Sequence, residues 1–67
     1  MTPNGAAIRA FREVRGHSVR HLAHLTELSP STITRIEGEK RGSSDDTLKR
    51  IAAALDVPLE AITRENP

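Results

Sequence analysis

Apolar residues recur along this chain at helical spacing, and no segment alternates as a half-buried strand would. Ile8 and Phe11, three apart, mark the inner stripe of a first helix that starts near Asn4-Gly5 and runs to about Arg15, with Val14 at the stripe's edge. Gly16 supplies a left-handed stop. Ser18 is the N-cap of a second helix from Val19 to about Thr26. Its Leu22 and Leu25 are expected to face inward and its Arg20, His21 and His24 outward, with Ala23 where another helix can come close. Ser29 caps a third helix with Pro30 at its first position, where the missing N–H costs nothing. Ile33 and Ile36 share one face of it; Ser31, Thr34 and Arg35 share the other. The third helix ends near Glu37, with Gly38 behind it. After the loop EKRGSS, Ser44 caps a fourth helix whose Asp45 and Asp46 suit the positive end of the helix dipole. Leu48, Ile51, Ala52 and Leu55 form its buried stripe. Pro58 opens a last short helix carrying Leu59 and Ile62, and the tail 64–67 is predicted to fray.

The pattern therefore predicts an all-α fold, a compact five-helix bundle forming a single domain over residues 1–67. Its core is almost wholly aliphatic: Ile8, Phe11, Leu22, Leu25, Leu28, Ile33, Ile36, Leu48, Ile51, Leu55, Val57 and Leu59, with Ile62 as a further candidate. A chain of about 60 residues buries only about 60% of the surface its unfolded form exposes, which leaves no room for a deep substrate cleft. There is no cysteine, so neither a disulfide framework nor a thiolate metal site staples the fold. Local helix packing must do so. Apolar runs are short, and MTPNGAA lacks a basic-then-apolar signal pattern. No membrane insertion or export is expected, which places the chain in the cytoplasm, at the nucleoid.

Residues 18–37, SVRHLAHLTELSPSTITRIE, have the layout of a helix-turn-helix, whose second helix enters the DNA major groove. The exposed start of the third helix carries small hydroxyl residues where a solvated face usually carries Glu and Lys. Arg35 shares that face, and arginine engages guanine O6 and N7 in bidentate fashion. Lys40 and Arg41 follow in the loop, placed for phosphates. Exposed helix N-termini offer N–H groups to phosphate oxygens. Net charge is only +1, but it is unevenly spread. Residues 1–41 hold seven Arg/Lys against four Glu, and residues 42–67 hold three against five Asp/Glu. The basic part contains the helix-turn-helix, as phosphate contact requires.

The span from Ile8 to Ile62 resembles the Cro/C1-type (XRE-family) helix-turn-helix domain of bacterial and phage regulators. The resemblance rests on IRAFREVRG, SVRHLAHLTELSPSTITRIEGEKR and TLKRIAAALDVPLEAI. It implies a lambda-repressor-like bundle whose third helix reads bases as a symmetric dimer on a palindromic operator. By similarity, Pro30, Ser31, Thr34 and Arg35 face base edges. Ser29, Thr32, Lys40 and Arg41 lie near phosphates, with the start of the second helix at Val19 and Arg20. Arg12 and Glu37 match a structural ion pair between the first helix and the end of the third. Two departures stand out. Glu27 occupies a turn position that is usually glycine, at a cost of about 1–2 kcal/mol if φ is positive there. The reading face lacks Gln and Asn, so readout leans on Arg35, Ser31 and Thr34 and on DNA shape.

Other constellations are weaker. His17, His21 and His24 are spaced by four and three, but no cysteine or carboxylate completes a zinc set, so no metal or cofactor is expected. They read as a polar helix face with His24 close to DNA. Asp45-Asp46 reads as a dipole-compatible cap. With no nucleophile elbow, phosphate-binding glycine loop or His/Glu zinc signature, no enzymatic activity is expected. The expected function is sequence-specific binding of double-stranded DNA, as a transcriptional repressor. The expected dimer is weak in solution and tighter on DNA, joined around Leu59 and Ile62. The competing reading is a protein-interaction module of the same fold: an antitoxin, anti-repressor or adaptor.

Overall fold

Each helix opens on a side-chain oxygen that takes the place of a missing helical acceptor. In a computed structural model, which describes residues 2–39 and 43–64, Asn4 Oδ1 accepts from the Ala7 N–H at 3.2 Å. The hydroxyls of Ser18, Ser29 and Ser44 accept from the N–H groups of His21, Thr32 and Thr47 at 3.0, 3.2 and 3.2 Å. Each cap is worth about 1 kcal/mol. Together they set the starts of α1 (Gly5–Val14), α2 (Val19–Thr26), α3 (Pro30–Glu37) and α4 (Asp45–Leu55).

Three of the four helices end in the same way. A left-handed residue follows the helix, and two backbone bonds close back over the last turn, the Schellman arrangement. After α1 the left-handed residue is Gly16 (φ 75), with His17 N–H bonded to Arg12 O and Gly16 N–H to Glu13 O, each at 3.0 Å. After α2 it is Glu27 (φ 60), with Leu28 N–H on Ala23 O and Glu27 N–H on His24 O. After α4 it is Asp56 (φ 57), with Val57 N–H on Ala52 O and Asp56 N–H on Ala53 O. The residues just beyond the last two, Leu28 and Val57, pack on the core. At the end of α3, Gly38 stays right-handed and Glu39 takes the positive φ of 55.

The bundle has four α-helices, not five. The expected fifth is a single 3₁₀ turn, Leu59–Ile62, closed by Ala61 N–H on Pro58 O at 3.0 Å. It has no side-chain cap and lies between Pro58 and a strand, so an α-helix has no length in which to propagate. That strand, β2 (Thr63–Arg64), pairs antiparallel with β1 (Thr2–Pro3) in the register Thr2↔Arg64 and Pro3↔Thr63. Asn4 N–H adds a bond to Ile62 O at 2.8 Å. A two-residue ladder is too short to produce an alternating pattern. Arg64, expected to fray, is part of it; residues 65–67 lie outside the described residues.

The core consists of Ile8, Leu22, Ala23, Ile33, Ile36, Leu48, Ile51, Ala52, Leu55 and Ile62. Phe11, Leu28, Val57 and Leu59 pack half-buried against it. Two expectations are corrected. Leu25 is 45% exposed, because the inner line of α2 runs through Leu22, Ala23 and Thr26. The Thr26 hydroxyl, buried there, donates back to Leu22 O at 2.8 Å and is also within 3.2 Å of Ala23 O. Ile62 is fully buried, drawn in where the strand pair closes, and so is not available as a dimer surface. Leu59, its expected companion there, is half-buried on the core. Among the described residues, no helix is long and apolar enough to cross a membrane.

Contacts at its two ends help fix α1 on its neighbours. Gly5 lies against the end of α3: a Cβ there would clash with Glu37 O and lie 2.6 Å from Ile36 O. At the other end of α1, Arg15 Nε donates to Leu55 O at 3.0 Å and Nη2 to Asp56 O at 3.4 Å. A cation thereby meets the negative end of α4.

Gly5→Ala is expected to destabilise the domain by about 1–3 kcal/mol, since the obstructing atoms are backbone. Thermal denaturation should show a Tm lowered by roughly 4 °C or more. Glu27→Gly should act in the opposite direction, relieving left-handed strain by about 0.5–1 kcal/mol and raising Tm by several degrees. An unchanged or lowered Tm for Glu27→Gly would show that φ at this position carries no strain.

Candidate nucleic-acid interface

The outer face of α3 projects because its inner face is pinned. Ile33 and Ile36 are buried, which turns Pro30, Ser31, Thr34 and Arg35 to solvent, all four exposed. The hydroxyls at the start of the helix are not equivalent. Ser29 Oγ caps the Thr32 N–H and lies 2.8 Å from Thr32 Oγ1 and 3.3 Å from Ser31 Oγ. Thr34 Oγ1 donates to Pro30 O at 3.1 Å, so its proton is engaged and its lone pairs face outward as acceptors. Toward a base edge Thr34 is thus suited to receive from the amino groups of adenine or cytosine. Arg35 makes no ion pair among the described residues, and its guanidinium supplies the donors.

The start of α2 offers further polar groups. Arg20 and His24 are exposed, whereas Val19 is half-buried and packs on the core. Val19 can serve phosphate only through its backbone N–H, one of the first-turn donors with no intrahelical acceptor. Ser29 is exposed and Thr32 half-buried at the same end of α3. Lys40 and Arg41 lie outside the described residues.

Arg12 and Glu37 hold this arrangement from behind. Arg12 Nε meets Glu37 Oε2 at 2.6 Å, and Nη2 meets Oε1 at 3.1 Å, a bidentate pair. Arg12 Nη1 also donates to His17 O at 3.0 Å. One guanidinium thus ties α1, the end of α3 and the approach to α2 together. Its side chain is 12% exposed and that of Glu37 9%. The hydrogen bond to Glu37, aided by Coulomb attraction to Glu37 and Glu13, outweighs burial and raises the Arg12 pKa. A raised base contributes stability below its unfolded pKa and loses it only as pH rises past the folded value. This clamp therefore persists through neutral and acidic pH as far as Arg12 is concerned.

Two of the three histidines come together. The His17 and His21 rings meet edge-on with centroids 4.7 Å apart. Among the described residues no group of three His, Cys, Asp or Glu is placed to hold a metal. Asp46 pairs with Arg50 one turn along α4 at 3.2 Å. Between the end of α2 and α4 runs a shallow open groove lined by Leu25, Thr26, Glu27, Arg50, Ala53 and Ala54. Three features were beyond sequence reasoning: the Gly5 contact, the Arg15 cap on α4, and an ion pair of 2.8 Å between Arg64 and Glu39. Each joins residues at least 25 positions apart, and no local pattern signals them.

A family model described as helix-turn-helix matches residues 8–62. The HTH-type transcriptional repressor RghR of Bacillus subtilis (strain 168) is 41% identical over 59 residues, covering 87% of this chain and 44% of that protein. The chain thus spans less than half the length of the curated relatives it matches. Among solved structures, the restriction-modification controller protein C.AhdI from Aeromonas hydrophila superposes with a TM-score of 0.82 at 30% identity, covering 85% of this chain and 86% of that one. The biofilm master regulator SinR of Bacillus subtilis, solved in complex with DNA, gives a TM-score of 0.79 at 28% identity, covering 84% and 90%.

Removing one partner of the Arg12–Glu37 pair leaves a buried charge. Glu37→Ala is expected to destabilise by about 3 kcal/mol or more. Arg12→Met combined with Glu37→Leu should recover much of that loss. A double-mutant cycle read by urea denaturation checks this, and additive single-site losses would show that the pair is not coupled.

Proposed function

Because the chain belongs to the helix-turn-helix family, we propose that it binds double-stranded DNA sequence-specifically as a transcriptional repressor, with α3 in the major groove. The observation that carries this reading is the outer face of α3: exposed Ser31, Thr34 and Arg35 set on a helix that Ile33 and Ile36 fix to the core. Pro30, Ser31, Thr34 and Arg35 meet base edges. Val19 through its N–H, together with Arg20, His24, Ser29, Thr32, Lys40 and Arg41, meets phosphates. The repressor role of RghR and the DNA complex of SinR support it. A DNA-bound chain of this kind works in the cytoplasm, on the chromosome, and its activity is binding without catalysis.

One copy spans too little DNA for high specificity. Two copies on half-sites about one helical turn apart form a homodimer on a palindromic operator, weak in solution and tighter on DNA. The self-contact lies at the C-terminal end around Leu59, with Ile62 buried beneath it.

A second reading, a protein-interaction module of the same fold, is favoured by one observation. Leu25 stands 45% exposed in the groove beside Ala53 and Ala54. Salt separates the two readings. Phosphate binding weakens by orders of magnitude between about 50 and 200 mM salt, whereas an apolar interface does not.

The test is capture of fragmented genomic DNA at about physiological salt, followed by sequencing, beside the Ser31→Ala/Arg35→Ala variant. The expected result is a small set of fragments sharing an inverted repeat, with about 10-fold or greater loss in the variant. Uniform enrichment, or equal capture by both proteins, would overturn sequence reading by α3.

A further inference from the structure

Glu39 stands two residues beyond α3 in the left-handed conformation. Its carboxylate Oε2 accepts from Arg64 Nη2 at 2.8 Å. Arg64 reaches it from β2, which β1 holds in place. The side chains are 49% and 37% exposed, so the pair contributes little to stability. Its importance lies in its position. The C-terminal end of α3 is the negative end of a helix dipole, and Glu39 adds a full negative charge to it. Lys40 and Arg41 follow directly in the chain. A charge acts on phosphates within a Debye length of about 8–10 Å, so a carboxylate just beyond α3 bears on the backbone that a DNA-bound α3 lies against. An unmasked Glu39 would repel the phosphates that Lys40 and Arg41 attract.

We propose that Arg64 is a positioning residue for DNA binding: it masks the Glu39 carboxylate at the end of α3, so that this charge does not offset the two cations, Lys40 and Arg41, that follow the recognition helix in the chain. This rests on the DNA-binding reading above. It assigns Arg64 an indirect role, distinct from a phosphate contact of its own. The two roles differ in one consequence. A masking arginine matters only while Glu39 is charged, whereas a phosphate-binding arginine matters whatever occupies position 39.

The test uses the full chain and a random-sequence duplex of about 24 base pairs, because phosphate contact is independent of sequence. Affinity is measured at about 50 and 150 mM salt for the unaltered chain, Arg64→Gln, Glu39→Gln and the double variant, each checked by thermal denaturation. Arg64→Gln is expected to weaken binding about two- to five-fold at the lower salt, with a smaller loss at the higher. Glu39→Gln should bind at least as tightly as the unaltered chain, and adding Arg64→Gln to it should change nothing. An equal loss from Arg64→Gln in both backgrounds, with a salt slope reduced by about one, would overturn masking in favour of direct phosphate contact. No loss in either background would overturn it outright, as would weaker binding by Glu39→Gln, which tests the proposal even if Arg64→Gln folds poorly. Failure of the unaltered chain to bind the duplex would overturn the DNA-binding reading itself, and the masking role with it.

Discussion

The bidentate contact between Arg12 and Glu37 determines where α3 sits, and the exposed face of α3 follows from that. Nearly enclosed, the pair lies where α1 crosses the end of α3, and the third guanidinium nitrogen holds the chain at His17. A buried ion pair is a poor source of net stability, since desolvation offsets most of the attraction. Its value here is geometric. Two parallel N–H···O bonds tolerate little rotation, and Gly5 at the start of α1 allows the backbones to meet with no side chain between them. With one side of α3 pinned by Ile33 and Ile36 and its end held by Glu37, the residues left pointing outward are Ser31, Thr34 and Arg35.

A 67-residue chain with no cysteine has little margin, and local devices supply much of its order. Four oxygen caps start the helices, and three Schellman closures end α1, α2 and α4. Two of those closures use Glu27 and Asp56 at positive φ, where glycine carries no Cβ penalty. The strain is modest and sits outside the core. At the other end of α1, the Arg15 cap on α4 adds a charge-assisted bond that also satisfies terminal carbonyls. The result is a rigid frame assembled from many small, mostly local terms around a single aliphatic cluster.

What the sequence made legible divides along the same line. N-caps, the Gly16 stop, the proline at the start of α3 and the stripe Leu48, Ile51, Ala52, Leu55 are local patterns, and each was readable. The outer face of α3 was readable because Ile33 and Ile36 fix its phase. Leu25 was misplaced because an inner line through Leu22 and Leu25 and one through Leu22, Ala23 and Thr26 satisfy the helical period equally well. Only the packing of α2 on its neighbours α3 and α4 selects the second. Ile62 was read both as a core candidate and as part of a dimer surface, because its burial depends on pairing the two ends of the chain, sixty positions apart, over a ladder of two residues. The fifth helix failed for a related reason: an apolar pair after a proline does not distinguish one 3₁₀ turn from the start of an α-helix. Arg12 and Glu37 were found through family likeness; spacing alone does not link positions so far apart.

The frame presents one polar, hydroxyl-rich face on α3, and the chemistry of that face suits bases and phosphates better than any small substrate. The most direct measurement is an amide spectrum of the ¹⁵N-labelled chain titrated with duplex DNA at about 50 mM salt. The predicted result is a contiguous set of shifted resonances at the start of α3, at Val19 and Arg20 and beyond the end of α3, with α1 and the groove at Leu25, Ala53 and Ala54 unmoved. Shifts centred on that groove, or none at all, would contradict the placement of the binding face on α3.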